Sequence, residues 1–114
     1  MPRLRPRSKV WLEVGGDVAL SEWRVELLEA VEAHGSLTAA AQALGVPFRT
    51  AWDRVREMES RLGIKLLDTQ SGGPGGGHSV LTPEAREVIA RFHRIVDGIG
   101  ELVDRRFQEE FGEK

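Results

Sequence analysis

The chain has 114 residues, of which 40% are apolar and 30% are charged, a composition typical of one globular domain with a single core. It has no cysteine, which excludes disulfide frameworks and zinc–thiolate sites, and no apolar run long enough to span a bilayer. The net charge of −2 is unevenly distributed, because residues 1–9 carry four bases whereas residues 10–48 carry six acids and one arginine, so the total does not exclude a polyanionic partner.

The first eight residues are predicted to form a flexible basic arm, since they alternate arginines with two prolines and show no helix pattern. No apolar signal-peptide segment follows them, so we expect a protein that remains in the cytoplasm and has no membrane partner. Residues 9–14 (KVWLEV) alternate polar and apolar side chains and are predicted to be a strand. A turn at residues 15–17 leads to a short returning strand.

Three helices are predicted next. Ser21 is expected to cap the first, and Ser36 to cap a short second helix that ends before Gly45. The third runs over about residues 47–62. Its inner stripe, at steps of four, three and four, consists of Ala51, Val55, Met58 and Leu62.

Two short strands are predicted in IKLLDT and HSVLT, with a glycine-rich segment between them. Residues 72–79 (GGPGGGHS) resemble the phosphate-loop pattern G-x-x-x-x-G-K-[ST], with His78 in the lysine position. A phosphate loop requires a helix to begin directly at its end, but here the next helix begins only after a strand, at Thr82 and Pro83. We therefore interpret residues 70–79 as the tip of a β-wing, and a small nucleotide-binding enzyme is a minor alternative.

One long, continuous helix is predicted from Pro83 to about residue 111. Its apolar residues recur at steps of four and three, the spacing of a helix that packs along another helix. Packing on the chain's own core accounts for the first two turns, and we expect a homodimer contact along the rest. The predicted dimer interface consists of Val88, Phe92, Ile95, Ile99, Leu102 and Val103.

Residues 36–62 (SLTAAAQALGVPFRTAWDRVREMESRL) carry the functional signal. Two helices are joined by a tight turn at Gly45, and three small residues at 39–41 allow the helices to pack closely. This is typical of a helix-turn-helix, whose second helix enters the DNA major groove, although a generic helical hairpin has the same alanines. With the strands and the last helix, the pattern predicts a mainly α fold with a small β-wing. It is a winged helix-turn-helix over residues 9–82 and a dimerisation helix over residues 83–114.

The stretch from residue 36 to residue 69 resembles the winged helix-turn-helix of LysR-type bacterial regulators, and more closely that of ModE, the molybdate-responsive regulators. The closer resemblance rests on the opening WLEVGGDVALSEWRVELLEAVEAHGSLTAAA, on FRTAWDRV, on the wing SGGPGGGHSVLT and on LTPEAREVIARFHRI. It covers about residues 9–99 and implies a homodimeric, DNA-binding transcriptional regulator in the bacterial cytoplasm, associated with the nucleoid. ModE proteins typically carry further molybdate-binding domains, for which this chain has no room, so no molybdate site is expected in it.

The first turns of the third helix are expected to face double-stranded DNA. Arg49 is the expected base reader, because arginine can donate two hydrogen bonds to guanine. The alternative role for Arg49 is a contact with a phosphate. Phe48 is expected either on a thymine methyl group or packed within the protein, and Trp52 either at a base or sugar or partly in the core. Asp53 either accepts a hydrogen bond from cytosine or orients Arg49 or Arg56. The predicted contacts from this helix are Pro47, Phe48, Arg49, Thr50, Trp52, Asp53 and Arg56.

Phosphate contacts are expected around this helix, from Arg54 and Arg56 on it and from the hydroxyl groups of Ser36 and Thr38, although Ser36 alternatively serves only as a cap. Arg61 is expected to be a solvated charge. From the wing, the expected contacts to the minor groove or its rim are Gly75, Gly76, Gly77 and His78. The basic arm either follows the minor groove or backbone or is an ordinary solvated terminus.

The three histidines, His34, His78 and His93, lie on different predicted elements without metal-ligand spacing, and no catalytic constellation is evident. Neither an enzyme nor a metal or cofactor site is therefore expected. The main alternative to a specific DNA-binding regulator is a winged-helix protein-interaction module, or a partner-dependent regulator with little DNA specificity of its own. The acidic first helix and the negative net charge leave this alternative open.

Overall fold

The computed structural model describes residues 2–70 and 77–112, in which two antiparallel hairpins and five helices follow one another. The elements are β1 (Trp11–Val14), β2 (Asp17–Ser21), α1 (Glu22–His34), α2 (Leu37–Leu44), α3 (Phe48–Leu62), β3 (Leu67–Gln70), β4 (His78–Leu81), α4 (Pro83–Val96) and α5 (Ile99–Phe111). The predicted mainly α fold with a small β-wing is confirmed. No helix in the described ranges combines the length and apolarity needed to cross a bilayer.

The predicted cap residues set the helix boundaries. The hydroxyl oxygens of Ser21, Ser36 and Thr82 accept hydrogen bonds from backbone N–H groups three residues later, at 3.2, 3.0 and 3.1 Å. Gly45 ends α2 at φ 69°, a left-handed conformation that glycine adopts without the steric cost of a Cβ atom. This residue therefore makes the tight turn that aims α3 away from α2.

The hydrophobic core lies between α1, α2, α3, the wing strands and the first turns of α4. Ala51, Val55 and Met58 of the predicted α3 stripe are buried, while Leu62 is only partly buried. One edge of α3 is thus fixed to the core and the opposite edge is left for a partner. The largest fully buried side chains are Phe92, Leu27, Leu28, Met58, Leu66 and Val31.

A cluster of charges attaches α3 to α1 and to the first hairpin. The carboxylate of Glu57 accepts a hydrogen bond from Arg54 and pairs with Arg24 at 3.4 Å and Arg61 at 3.7 Å. Arg61 also donates to the carbonyl oxygen of Val18 at 2.6 Å. The prediction that Arg61 is a solvated charge is therefore wrong, because both ends of its guanidinium group have partners within the chain.

Side-chain hydrogen bonds to backbone groups hold the wing in place beside α3. The carboxylate of Glu59 accepts from the N–H groups of Leu66 and Leu67 at 2.8 and 3.4 Å, and Thr82 donates to the carbonyl oxygen of Lys65 at 2.6 Å. The strands pair in register from Leu67 opposite Leu81 to Gln70 opposite His78. Residues 71–76, which include the predicted contacts Gly75 and Gly76, lie outside the described residues.

The predicted C-terminal helical segment is present, but it is not continuous. α4 ends at Val96, and Gly98, with φ 78°, precedes α5. A left-handed residue interrupts the helical hydrogen-bond ladder, so the segment consists of two helices. The apolar periodicity persists across the break, which is why the sequence pattern did not reveal it.

The structure also corrects one member of the predicted dimer interface. Phe92 is only 2% exposed and packs in the core of its own chain, because it lies on the same side of α4 as the buried residues Ala85 and Ile89. Ile95, three residues further on, is 47% exposed. Intramolecular packing thus extends further along α4 than the first two turns. The remaining members, Val88, Ile99, Leu102 and Val103, are partly buried.

The basic arm forms neither helix nor strand within residues 2–10 and lies beside α5. A Cβ atom at Gly100 would come within 3.9 Å of the Ser8 hydroxyl oxygen. Nearer its start, Leu4 lines a surface cavity of about 560 Å³ together with Phe107 and Phe111. The arm therefore runs antiparallel to α5, and contact between this arm and DNA stays a prediction.

Candidate nucleic-acid interface

The exposed edge of α3 presents a charged pair at its first turns. The Arg49 side chain is 80% exposed, and its Nε atom lies 3.3 Å from Oδ1 of Asp53, one turn further along the helix. Such pairs hold each other on a helix surface. Of the roles predicted for Asp53, the structure shows the orientation of Arg49.

A second row of α3 side chains faces the wing. Phe48, Trp52 and Arg56 follow one another at steps of four, and the rings of the first two lie 6.2 Å apart with planes tilted by 32°. The Arg56 Cζ atom lies 4.3 Å from the Trp52 ring centroid, within the range of a cation–π interaction. Trp52 also packs partly against the core, while Phe48 remains 47% exposed.

A groove of about 730 Å³ separates this row from the wing and the N-terminus of α2. It brings together six of the predicted site residues and two that sequence reasoning missed, Lys65 and Thr69. Lys65 lies two residues before the first wing strand, and its charge was the only available signal. These eight residues of the groove lining are Ser36, Thr38, Phe48, Trp52, Arg56, Lys65, Thr69 and Gly77.

Of the other predicted contacts, those within the described residues lie outside this groove. Pro47 occupies the N-cap position of α3 without a side-chain hydrogen bond, and Thr50 is half-buried on another side of the helix. Arg54, expected at a phosphate, is bound to Glu57. His78 is exposed at the start of β4. The predicted set is therefore split between the groove, the Arg49 edge and the wing.

Ser36 has the capping role that was one of its two predicted functions. Its oxygen accepts from the N–H group of Ala39 at 3.0 Å, which leaves the hydroxyl proton available to donate. Thr38, two residues further on, is exposed. Both hydroxyl groups border the groove, so the capping role does not exclude a contact with a bound anion.

The charges around Glu57 help to hold α3, which carries the site, against α1. Burial by itself raises the pKa of the Glu57 carboxyl group, but the hydrogen bond from Arg54 and the charges of Arg54, Arg24 and Arg61 outweigh it and hold the pKa below its ordinary value of 4.5. Burial also lowers the pKa of Arg24, which the Glu57 carboxylate only partly offsets. Glu57 is therefore ionised at neutral pH and anchors three arginines.

The described part of the chain contains no group of three or more histidine, aspartate or glutamate side chains arranged to hold a metal ion. Nε2 of His93 lies 3.2 Å from Glu29 on the exposed surface, where it links α4 to α1. The groove is lined by basic, hydroxyl-bearing and aromatic side chains, together with Glu59 and several apolar residues. The basic, hydroxyl and aromatic groups are of the types that contact a phosphate backbone.

Comparison with protein families adds independent evidence. The family model of bacterial regulatory helix-turn-helix proteins, lysR family, matches residues 24–86. Among curated relatives, the molybdenum-pterin-binding protein MopB of Rhodobacter capsulatus is 38% identical over 80 residues, or 70% of this chain and 30% of MopB. The molybdenum transport protein ModE of Azotobacter vinelandii is 30% identical over 105 residues, or 92% of this chain and 39% of that protein.

The DNA-binding transcriptional dual regulator ModE of Escherichia coli (strain K12) is 33% identical over 84 residues, which cover 74% of this chain and 30% of the regulator. The matches thus span about 30–39% of the length of these three relatives.

Solved structures share the fold. The CbnR_DBD–DNA complex is 25% identical, with a TM-score of 0.56, over 74% of this chain and 91% of the CbnR chain. The BenM_DBD/catB site 1 DNA complex is 21% identical, with a TM-score of 0.58, over 81% of this chain and 97% of the BenM chain. The second likeness concerns the fold alone.

Proposed function

Since this chain belongs to the lysR family of bacterial regulatory helix-turn-helix proteins, we propose that it is a sequence-specific, homodimeric DNA-binding regulator of transcription. In this proposal α3 enters the major groove and the wing contacts the adjacent backbone or minor groove. The regulator acts in the bacterial cytoplasm, at the nucleoid. The proposal assigns DNA binding and dimerisation to this chain and no molybdenum ligand.

The observation that carries the proposal is the division of α3 into two edges. Ala51, Val55 and Met58 fix one edge in the core, while Arg49, at 80% exposure, extends from the other. The major groove is about 12 Å wide and admits a helix held in this way. The named functions of the relatives, a DNA-binding transcriptional regulator and a DNA complex of a DNA-binding domain, support the same conclusion.

Arg49 is suited to reading a base because of how Asp53 holds it. The carboxylate contacts Nε, which leaves both terminal nitrogen atoms of the guanidinium group free. Two parallel hydrogen bonds from one guanidinium group match the O6 and N7 atoms of guanine, worth about 1–3 kcal/mol of discrimination. Asp53 therefore orients a base reader in this proposal without occupying its reading edge.

The decisive experiment selects preferred sites from random duplex DNA and then measures affinity for a selected and a scrambled duplex between 50 and 200 mM salt. We expect two half-sites separated by about 34–36 Å or a multiple of it, and at least about 10³-fold tighter binding of the selected duplex. Affinity should fall steeply with salt because phosphate contacts release counterions. Equal affinities for the two duplexes would contradict sequence specificity, and a salt slope near zero would favour the protein-interaction module.

A further inference from the structure

We propose that the groove between α3 and the wing receives one sugar–phosphate strand of the bound duplex, that Arg56 binds its phosphate, and that Trp52 is a positioning residue for Arg56. This inference rests on the proposed function and deepens it. It assigns Trp52 a role through a neighbouring side chain rather than through a base. It also adds Lys65 and Thr69 of the wing to the contact surface.

The position of the groove identifies its occupant. If α3 lies in the major groove and the wing reaches the minor groove, the strand that separates the two grooves passes between α3 and the wing. The 730 Å³ groove lies at this position. Its lining carries two cations, Arg56 and Lys65, whose side chains are 61% and 69% exposed. Lys65 is also paired on the surface with Asp68 at 3.6 Å. The hydroxyl groups of the lining can donate to phosphate oxygens.

Glu59, the one carboxylate among the described lining residues, does not oppose an anion with its full charge. One oxygen of Glu59 accepts from the backbone N–H groups of Leu66 and Leu67. Its other oxygen lies 3.5 Å from Nη1 of Arg56. Glu59 thus serves as a fixed partner that connects the wing to Arg56, and the side-chain charges of the groove remain positive.

Trp52 provides the surface that orients Arg56. The guanidinium group lies over the indole ring at 4.3 Å from its centroid, and the other side of Trp52 packs partly against the core. A planar guanidinium group that lies over a ring keeps its N–H donors in its own plane, where those not directed at Glu59 can reach a phosphate. The ring also restricts the Arg56 side chain before DNA binds, so that binding costs less side-chain entropy.

The first test measures binding of selected and scrambled duplexes by Arg56→Ala as a function of salt. We expect the affinity for both duplexes to fall by the same factor, about tenfold, and the slope of log affinity against log salt to decrease by about 1. Arg56→Lys should preserve the slope but still bind more weakly, because lysine keeps the charge and loses the planar fork. Arg91, an exposed arginine of α4, provides the control, since Arg91→Ala should change neither quantity.

The second test is a double-mutant cycle. Trp52→Leu should weaken binding about three- to fivefold when Arg56 is present and have no further effect in the Arg56→Ala background. An equal loss in both backgrounds would overturn the positioning role, because it would show that Trp52 contacts DNA itself. Thermal unfolding of each variant separates these effects from a loss of folded protein.

The proposed function and this inference fail in different ways. If the wild-type protein shows no preference for any duplex, the proposed sequence-specific regulator is wrong. If the wild type binds a selected site specifically while Arg56→Ala retains full affinity and the full salt slope, only the assignment of the groove is wrong.

Discussion

Arg49 and Arg56 lie about two turns apart along α3, and their partners give them different roles. Arg49 is held through Nε by a carboxylate, whereas Arg56 is held through its face by an aromatic ring. The first arrangement aims two donors outward from the helix, as base reading requires. The second keeps the charge beside the wing, as a phosphate contact requires.

Arg49→Ala is expected to relax the preference at one base position in each half-site, by about 1–3 kcal/mol. The measurement is a set of competition assays against duplexes that carry each of the four base pairs at every position. Arg56→Ala is the matched control, because its loss should be uniform across all sequences. A uniform loss for Arg49→Ala as well would identify Arg49 as a phosphate contact.

Glu57→Gln is expected to destabilise the protein by about 1–2 kcal/mol at pH 7, because the hydrogen bonds from arginines to a carboxylate are stronger than those to a neutral amide. The folded pKa of Glu57 lies below its ordinary value of 4.5, so its stabilising effect is complete above that value and is lost as the pH falls through the folded pKa. Urea unfolding of both proteins should therefore show a difference that shrinks on acidification below pH 4.5.

The control for this prediction is Glu26→Gln, on the exposed surface of α1, which should leave the unfolding midpoint nearly unchanged. A difference between wild type and Glu57→Gln that stays constant down to acidic pH would show that the amide disturbs packing rather than charge.

At the scale of elements, α4 and α5 show the limit of a periodic pattern. Apolar residues recur at steps of three and four across the junction, yet Gly98 has φ 78° and α5 begins after it. Periodicity reports which side of a helix is apolar, but it does not report whether the backbone is continuous. The glycine itself was the relevant signal, since glycine disfavours a helix interior by about 1 kcal/mol relative to alanine.

Gly98→Ala is expected to join α4 and α5 into one helix. Alanine in a left-handed conformation costs about 1–2 kcal/mol, and the described part of α5 has no buried residue whose packing would be lost. Circular dichroism at 222 nm should show increased helicity, and small-angle scattering a longer particle.

Gly100→Ala is the matched control for the junction. Gly100 lies inside α5, where the nearest atom to an added Cβ is the Ser8 hydroxyl oxygen at 3.9 Å, an ordinary contact. This variant should strengthen α5 without removing the break. If Gly98→Ala loses stability and gains no helicity, tertiary contacts rather than glycine hold the junction.

At the scale of the whole molecule, the described chain is elongated, with extents of 63 × 28 × 22 Å. The core, the groove and the α3 edge belong to the winged helix-turn-helix, while α5 buries none of its described residues within the chain. An amphipathic helix whose apolar side is only partly covered within its own chain is typical of a contact with another chain. This supports the proposed homodimer, in which two copies of α3 would face successive turns of DNA.

Ile95→Glu is expected to raise the dimer dissociation constant by about a hundredfold or more, because burial of an unpaired carboxylate costs several kcal/mol. Its side chain is 47% exposed in the single chain, so folding of the monomer should be preserved. Analytical ultracentrifugation over a range of concentrations measures the effect. The control is Val80→Glu, which replaces an apolar, 54% exposed residue of the wing and should leave the dimer intact. A dimer unaffected by Ile95→Glu would contradict the proposed interface.

The sequence by itself determined the elements from β1 to the start of α4, their caps and their order, but not the break between α4 and α5. Serine and threonine caps, the tight turn at Gly45 and the α3 stripe all act through residues within a few positions of one another, so their geometry can be read from spacing. The predicted helix-turn-helix and wing are confirmed for this reason. The family resemblance is confirmed by the matching family model. Arg49 was predicted as a base reader from its place in the first turn of α3, and its contact with a base stays a prediction.

Only the tertiary structure decided which side chains meet across elements. Arg61 reaches Val18, 43 positions away, and Glu57 binds Arg24, 33 positions away. Phe92 turned out to be a core residue, and Lys65 a neighbour of Arg56 in one groove. These contacts depend on how helices and strands pack in three dimensions, because the partner of a charge or of an apolar face is set by packing and not by its own local sequence.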